Sequence, residues 1–189
     1  MKNEAEFIKK LLSPKHREKA FLKLLDAYQE RLYWHIRKLV GSHENADDVL
    51  QNTFVRVYNN LPSFKQQSSL HTWMYRIAYN ESIRFLEKNK NRYSAHSEEI
   101  HQKHLDNLVG DSYFDGKEAS QRLQKNLLRL SNKQRKVFQM KYYDDLKFRE
   151  ISEVMELNEN TVKTIYYTAA KLIESYMLEV AAPEVATKK

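Results

Sequence analysis

An all-α protein with two helical domains is the fold class this sequence predicts, on three observations. Apolar residues recur at helical spacing over most of the chain. Only three Gly and three Pro occur in 189 residues, few turn formers for a chain of many short strands. The pattern lapses over residues 91–116, an acidic stretch that holds two of the three glycines. The net charge of +7 comes from basic blocks on either side of that stretch. The domains are therefore set at 1–90 and 117–178, joined by a flexible acidic linker at 91–116 and followed by a disordered tail at 179–189.

Taken in order, Glu4 to Leu12 is an amphipathic helix with Phe7, Ile8, Leu11 and Leu12 on one side. Ser13 and Pro14 fit an N-cap and a first helical position. A long helix is expected from there to about Val40, burying Phe21, Leu24, Leu25, Tyr28, Leu32, His35, Ile36 and Leu39. Gly41 ends it. Trp34 lies off this stripe and is expected against the next helix. Ser42 is the N-cap of a third helix whose early acids, Glu44, Asp47 and Asp48, complement its macrodipole. Val49, Leu50, Phe54, Val57 and Leu61 make its apolar stripe. Pro62 and Ser63 break it, and 65–69 is a polar loop.

A fourth helix carries Leu70, Trp73, Met74, Ile77, Ala78 and Phe85. Trp73 and Ile77 read as core, because apolar residues at helical spacing usually pack. Between them sit His71, Tyr75, Arg76, Tyr79, Asn80 and Arg84. Aromatic and basic residues interleaved in this way suit single-stranded nucleic acid: rings stack on unpaired bases and cations follow the phosphates. Lys88, Lys90 and Arg92 extend the basic end.

The linker holds His96, His101 and His104, with a short helix expected at 101–108. Zinc would need a fourth ligand that is not evident, so solvated histidines are the reading taken. From residue 117 the pattern returns. Leu123, Leu127, Leu128 and Leu130 end one helix, and Ser131 caps the next, which carries Val137, Phe138, Met140, Tyr142 and Tyr143 and closes at Asp144–Asp145. Helices at 148–155 and from Asn160 to about Leu178, with a short turn near 157–159, form a helix-turn-helix whose second helix would enter the major groove.

Composition also excludes. Cysteine is absent, which rules out disulfides and thiolate metal sites. There is no P-loop, no Gly-rich dinucleotide turn and no metal-binding cluster, so neither an enzyme nor a cofactor is expected. The charged N-terminus is no signal peptide, and nothing approaches the length of a membrane span. A soluble cytoplasmic protein is expected.

Three blocks carry a resemblance: Ala-Asp-Asp-Val-Leu-Gln-Asn-Thr-Phe at 46–54, Ser-Phe at 63–64 and Thr-Trp-Met-Tyr-Arg-Ile-Ala-Tyr-Asn at 72–80. In this order and spacing they resemble region 2 of bacterial sigma factors of the sigma-70 family, most of all the two-domain extracytoplasmic-function kind. Leu-Ser-Asn-Lys-Gln-Arg-Lys-Val-Phe at 130–138, Phe-Arg-Glu-Ile-Ser at 148–152 and Asn-Thr-Val-Lys-Thr at 160–164 resemble region 4. The resemblance implies a transcription initiation factor that binds core RNA polymerase, through the largest-subunit coiled coil and the flap of the second subunit. It also implies promoter DNA and an anti-sigma factor as partners.

By the same resemblance Asp47, Asp48, Gln51, Asn52, Thr53 and Arg56 dock on polymerase. Phe64, Lys65, Gln66, Gln67 and Ser68 capture a flipped base of the minus-ten element. Tyr75, Arg76, Tyr79, Asn80 and Arg84 meet its unpaired strand. Asn160, Thr161, Lys163, Thr164, Tyr167 and Lys171 meet the minus-thirty-five duplex. Two departures stand out. Glu156 occupies the turn where Gly is usual, and a left-handed non-Gly residue costs roughly 1–2 kcal/mol, so a differently built turn is expected. Ile165, Thr168 and Ala170 stand where Arg is common. The alternatives are a helix-turn-helix regulator, which would leave the blocks at 46–80 without a task, and a sigma-like decoy that does not initiate.

Overall fold

The computed structural model describes residues 4–89 and 118–179, the side chains of 118–121 excepted. The linker histidines, the helix expected at 101–108, Lys90, Arg92 and the tail from 180 lie outside the described residues, while residue 179, expected in the tail, is the last of the final helix. Within them are eight α-helices and no strand: α1 (Glu4–Leu12), α2 (Arg17–Val40), α3 (His43–Asn60), α4 (Leu70–Lys88), α5 (Glu118–Leu128), α6 (Asn132–Tyr142), α7 (Phe148–Met155) and α8 (Glu159–Glu179). A 3-10 turn, Leu61–Ser63, follows α3. Helices α1–α4 make one compact unit, and α5, α6 and α8 the body of a second.

In the first unit α2, α3 and α4 pack on one another, and α1 lies against α2 and the 3-10 turn. The predicted stripes meet here: Leu24, Leu32, Ile36 and Val40 from α2, Val49 and Val57 from α3, and Leu70, Met74 and Ala78 from α4 are buried. Each large aliphatic side chain so buried contributes roughly 1.5–3 kcal/mol before entropy is counted. The start of α2 differs from expectation. Residues 13–16 form a turn, with Ser13 O accepting from the N–H groups of His16 (3.1 Å) and Arg17 (2.9 Å), and the helix begins at Arg17. The Arg17 guanidinium donates to the carbonyls of Leu11 (3.2 Å) and Leu12 (3.3 Å), partners that the open end of α1 would otherwise lack. That tie separates α1 from α2.

The other end of α2 follows the prediction. Gly41 takes φ 85° and its N–H reaches Arg37 O, while the Arg37 guanidinium donates to the Gly41 carbonyl. Ser42 then caps α3, accepting from Asn45 N–H at 3.2 Å. Trp34 pairs its ring with Tyr33 (5.2 Å), and Tyr33 meets His43 at the start of α3 (5.4 Å).

In the second unit Leu127, Leu130, Phe138, Ala169 and Ile173 form the buried cluster. Ser131 and Gln134 make a reciprocal capping box at the start of α6. Tyr143, in the right-handed region, is the C-cap of α6, ahead of the expected Asp144–Asp145, and Asp145, at φ 53°, takes a left-handed conformation two residues on. So does Glu156 between α7 and α8, at φ 55°, against the expectation of another build: the turn keeps its left-handed form and carries the cost of a Cβ. Glu156→Gly removes that cost of roughly 1–2 kcal/mol and gives back roughly 0.4–1 kcal/mol in unfolded-state entropy. A net gain of about 0.5–1 kcal/mol in thermal or urea unfolding is expected, and a loss would show that Glu156 has a compensating contact.

Candidate nucleic-acid interface

The loop between α3 and α4 is pinned at both ends. Phe64 is 7% exposed, with its ring 4.8 Å from that of Trp73, so it is an anchor of the loop and not the base contact expected of it. At the far end Ser69 caps α4, accepting from Thr72 N–H at 3.0 Å, with the two hydroxyls 2.8 Å apart. Sequence reading missed this cap, although a Ser directly before the first apolar residue of a helical run is its signal. Between the anchors Gln66 sits at φ 55°, and Lys65, Gln66 and Gln67 are exposed, with Ser68 half-buried. A non-glycine residue held in the left-handed region presents two amides and a cation on a fixed bend.

On α4 the expected strand-facing residues separate. Tyr75 is 2% exposed, its ring 4.9 Å from His35 and 4.5 Å from His71. It is a core residue, because stacking on a base would require it to leave that packing. Arg76, Tyr79 and Asn80 are half-buried and Arg84 is exposed. Burial pushes the Tyr79 hydroxyl above its usual range, so it is a neutral donor at physiological pH. Glu81, which sequence reading passed over, lies between two arginines: its Oε1 is 2.6 Å from Arg56 Nε of α3 and 2.5 Å from Arg84 Nη1.

Asp47, Asp48, Gln51 and Asn52 are exposed, and their spacing of three and four places them on one face of α3. Thr53 does not join them. It is buried and its hydroxyl donates to Val49 O at 2.7 Å. Arg56 is half-exposed but turned to Glu81.

Helix α7, the turn at Glu156 and α8 follow one another in the order expected of a helix-turn-helix. Asn158 opens α8, its side-chain oxygen accepting from Asn160 N–H at 2.8 Å. Asn160, Thr164, Tyr167 and Lys171 are exposed along one face, with Thr161 exposed beside them. Lys163 is half-buried and ion-paired with Glu159 at 2.7 Å, a solvent-accessible i,i+4 pair that a phosphate can replace. Tyr167 is 57% exposed and leans on a ring cluster of Tyr166 (5.5 Å) and Phe148 (6.0 Å). Hydroxyls, an amide, one ring and the Lys171 ammonium make up this face. Among the described residues no helix is long and apolar enough to cross a membrane.

Residues 24–92 match the family Sigma-70 region 2, and residues 120–173 match Sigma-70, region 4. The ECF RNA polymerase sigma factor SigW of Bacillus subtilis (strain 168) is 31% identical over 153 residues, 77% of this chain and 82% of SigW. The RNA polymerase sigma factor YlaC of the same organism is 29% identical over 158 residues, covering 82% and 90% of the two chains. Two solved structures share the fold. CnrH, in complex with the cytosolic domain of CnrY, has a TM-score of 0.67 at 17% identity and covers 95% of this chain and 99% of its own. The sigma factor RpoE of Bartonella quintana, in complex with the anti-sigma factor NepR, has a TM-score of 0.64 at 18% identity and covers 84% and 97%. With both matched regions in order and this identity over most of its length, the chain belongs to the extracytoplasmic-function sigma factors of the sigma-70 family.

Proposed function

We propose that this sigma factor acts in the cytoplasm by binding alone, leaving the chemistry to polymerase. The face of Asp47, Asp48, Gln51 and Asn52 docks on the coiled coil of the largest polymerase subunit, and the second unit meets the flap of the other large subunit. Helix α8 holds the minus-thirty-five duplex through Asn160, Thr161, Lys163, Thr164, Tyr167 and Lys171. Lys65, Gln66, Gln67 and Ser68 take a flipped base of the minus-ten element, and Arg76, Tyr79, Asn80 and Arg84 lie along its strand. Base capture offsets an unstacking cost of a few kcal/mol. An anti-sigma factor is the proposed regulator, in line with the solved complexes of CnrH with the cytosolic domain of CnrY and of RpoE with NepR. The observation that carries the reading is that one chain bears both regions, each with an exposed polar face.

The test is to mix the purified chain with core polymerase. A stable complex that transcribes from a promoter of the two-element kind supports the reading, and a chain that never joins core polymerase refutes it. Within that assay, Tyr79→Ala and Asn80→Ala should lower open-complex formation more than initial binding. Losing one base–aromatic stack costs about 1–3 kcal/mol, roughly five- to a hundredfold. Lys163→Ala should instead weaken the first duplex complex and reduce the salt slope by about one phosphate. Permanganate reactivity of promoter thymines, on linear and pre-melted templates, separates the two. Variants that fold and open linear promoters like the parent would remove α4 from the melting step.

A further inference from the structure

We propose that Arg56 and Glu81 are positioning residues for a phosphate contact made by Arg84, the three forming a relay between α3 and α4. The inference rests on the reading of α4 as the strand-facing helix. Its basis is the geometry of one carboxylate. The Glu81 side chain is 10% exposed, and a single oxygen takes Arg56 Nε at 2.6 Å and Arg84 Nη1 at 2.5 Å. The two arginine side chains are 49% and 57% exposed. One negative charge faces two positive ones, so the group is one cation in excess.

A carboxylate this far out of water is strongly unfavourable without a partner. If Arg84 were its sole partner, Arg84 could turn to a DNA phosphate only by stranding it. Arg56 removes that obstacle. It approaches from the neighbouring helix and stays on Glu81 when Arg84 leaves. A phosphate oxygen then replaces a carboxylate oxygen in the same kind of charge-assisted bond. Helical spacing puts Arg56 in line with Asp48 and Asn52, which is why the residue pattern groups it with the polymerase face. The direction of its Nε assigns it to Arg84 instead.

The test uses the chain assembled with saturating core polymerase and a pre-melted promoter, reading affinity against salt. Arg84→Ala should flatten the dependence of log K on log[salt] by about 0.7, the value for one phosphate on a single strand. Arg56→Ala should flatten it equally, with core affinity unchanged, because Arg84 is then locked on Glu81. Adding Glu81→Gln to Arg56→Ala should restore the parent slope, since Arg84 is released. Arg56→Lys, which keeps a cation at Glu81, should also retain the parent slope and serves if the double variant does not fold. An Arg84→Ala slope like the parent's overturns the relay. So does an Arg56→Ala that loses core binding at the parent slope, an Arg56→Ala defect that Glu81→Gln fails to restore, or an Arg56→Lys that behaves like Arg56→Ala. A parent complex that does not bind the pre-melted promoter at all sinks the strand-facing reading itself, and this inference with it.

Discussion

Tyr75→Ala should cost about 3–5 kcal/mol of stability, the usual price of removing a large buried aromatic side chain. Tyr75 lies inside the α2–α4 contact with its ring edge-on to His35, itself 1% exposed, and against His71, which in turn meets Tyr28 at 5.8 Å. Truncation opens a cavity among these rings and removes the one edge-to-face contact, with His35, a geometry worth about 0.5–1.5 kcal/mol beyond its area. Tyr75→Phe, which keeps the ring, should lose under about 1.5 kcal/mol. Both are read by urea unfolding of the full chain. The pair separates packing from DNA contact. If Tyr75→Ala unfolds like the parent and loses only promoter opening, the ring leaves the core in the open complex and its placement as a packing residue fails.

The second large effect is expected at the start of α3. Replacing Asp47 and Asp48 together with Lys should lower affinity for core polymerase by at least about tenfold, because like charges set against each other across an interface cost several kcal/mol. The effect should shrink as salt rises, since both side chains are exposed. The competing role of these acids is local. They lie in the second turn of α3, past the first turn that holds Glu44 and in which the macrodipole's roughly 0.3–1 kcal/mol per charge is concentrated, and the Asp47 carboxylate is 3.7 Å from His43 Nδ1. Thermal melting weighs one role against the other. A double variant that melts earlier but binds core polymerase as the parent does would leave the acids with a helix-end role alone.

What the residues disclosed in advance follows a physical line. Most features fixed by neighbours in the chain were legible, the Ser69 cap and the start of α2 excepted. Gly41 ends α2, Ser42 and Ser131 cap α3 and α6, and the apolar stripes of α2, α3 and α4 converge as their periods require. Features fixed by a neighbour in space were not. Tyr75 and Phe64 carry the chemistry of base-stacking residues, and only the packing of His35, His71 and Trp73 shows that their rings are already occupied. Helix α4 is buried on more than one side, so a stripe drawn at helical spacing understates its core. Thr53 looks available until its hydroxyl is found on the preceding turn. Arg56 and Glu81 are far apart in sequence, and no local rule pairs them. At Glu156 the preference of the backbone for glycine was read correctly, but the turn is left-handed all the same, at φ 55°.

On the proposal that the 65–68 loop takes a promoter base, the bend at Gln66 bears on how this protein could be re-targeted. A residue held at φ 55° tolerates Gly, Asn or Asp readily and penalises Val, Ile and Thr. Position 66 is therefore constrained by backbone shape before any base is met, whereas Lys65 and Gln67 carry no such restriction from a positive φ. A combinatorial library seeking new promoter preferences should randomise 65 and 67 freely and hold 66 to residues that accept the bend. Diversity spent on β-branched side chains at 66 would mostly return misfolded loops.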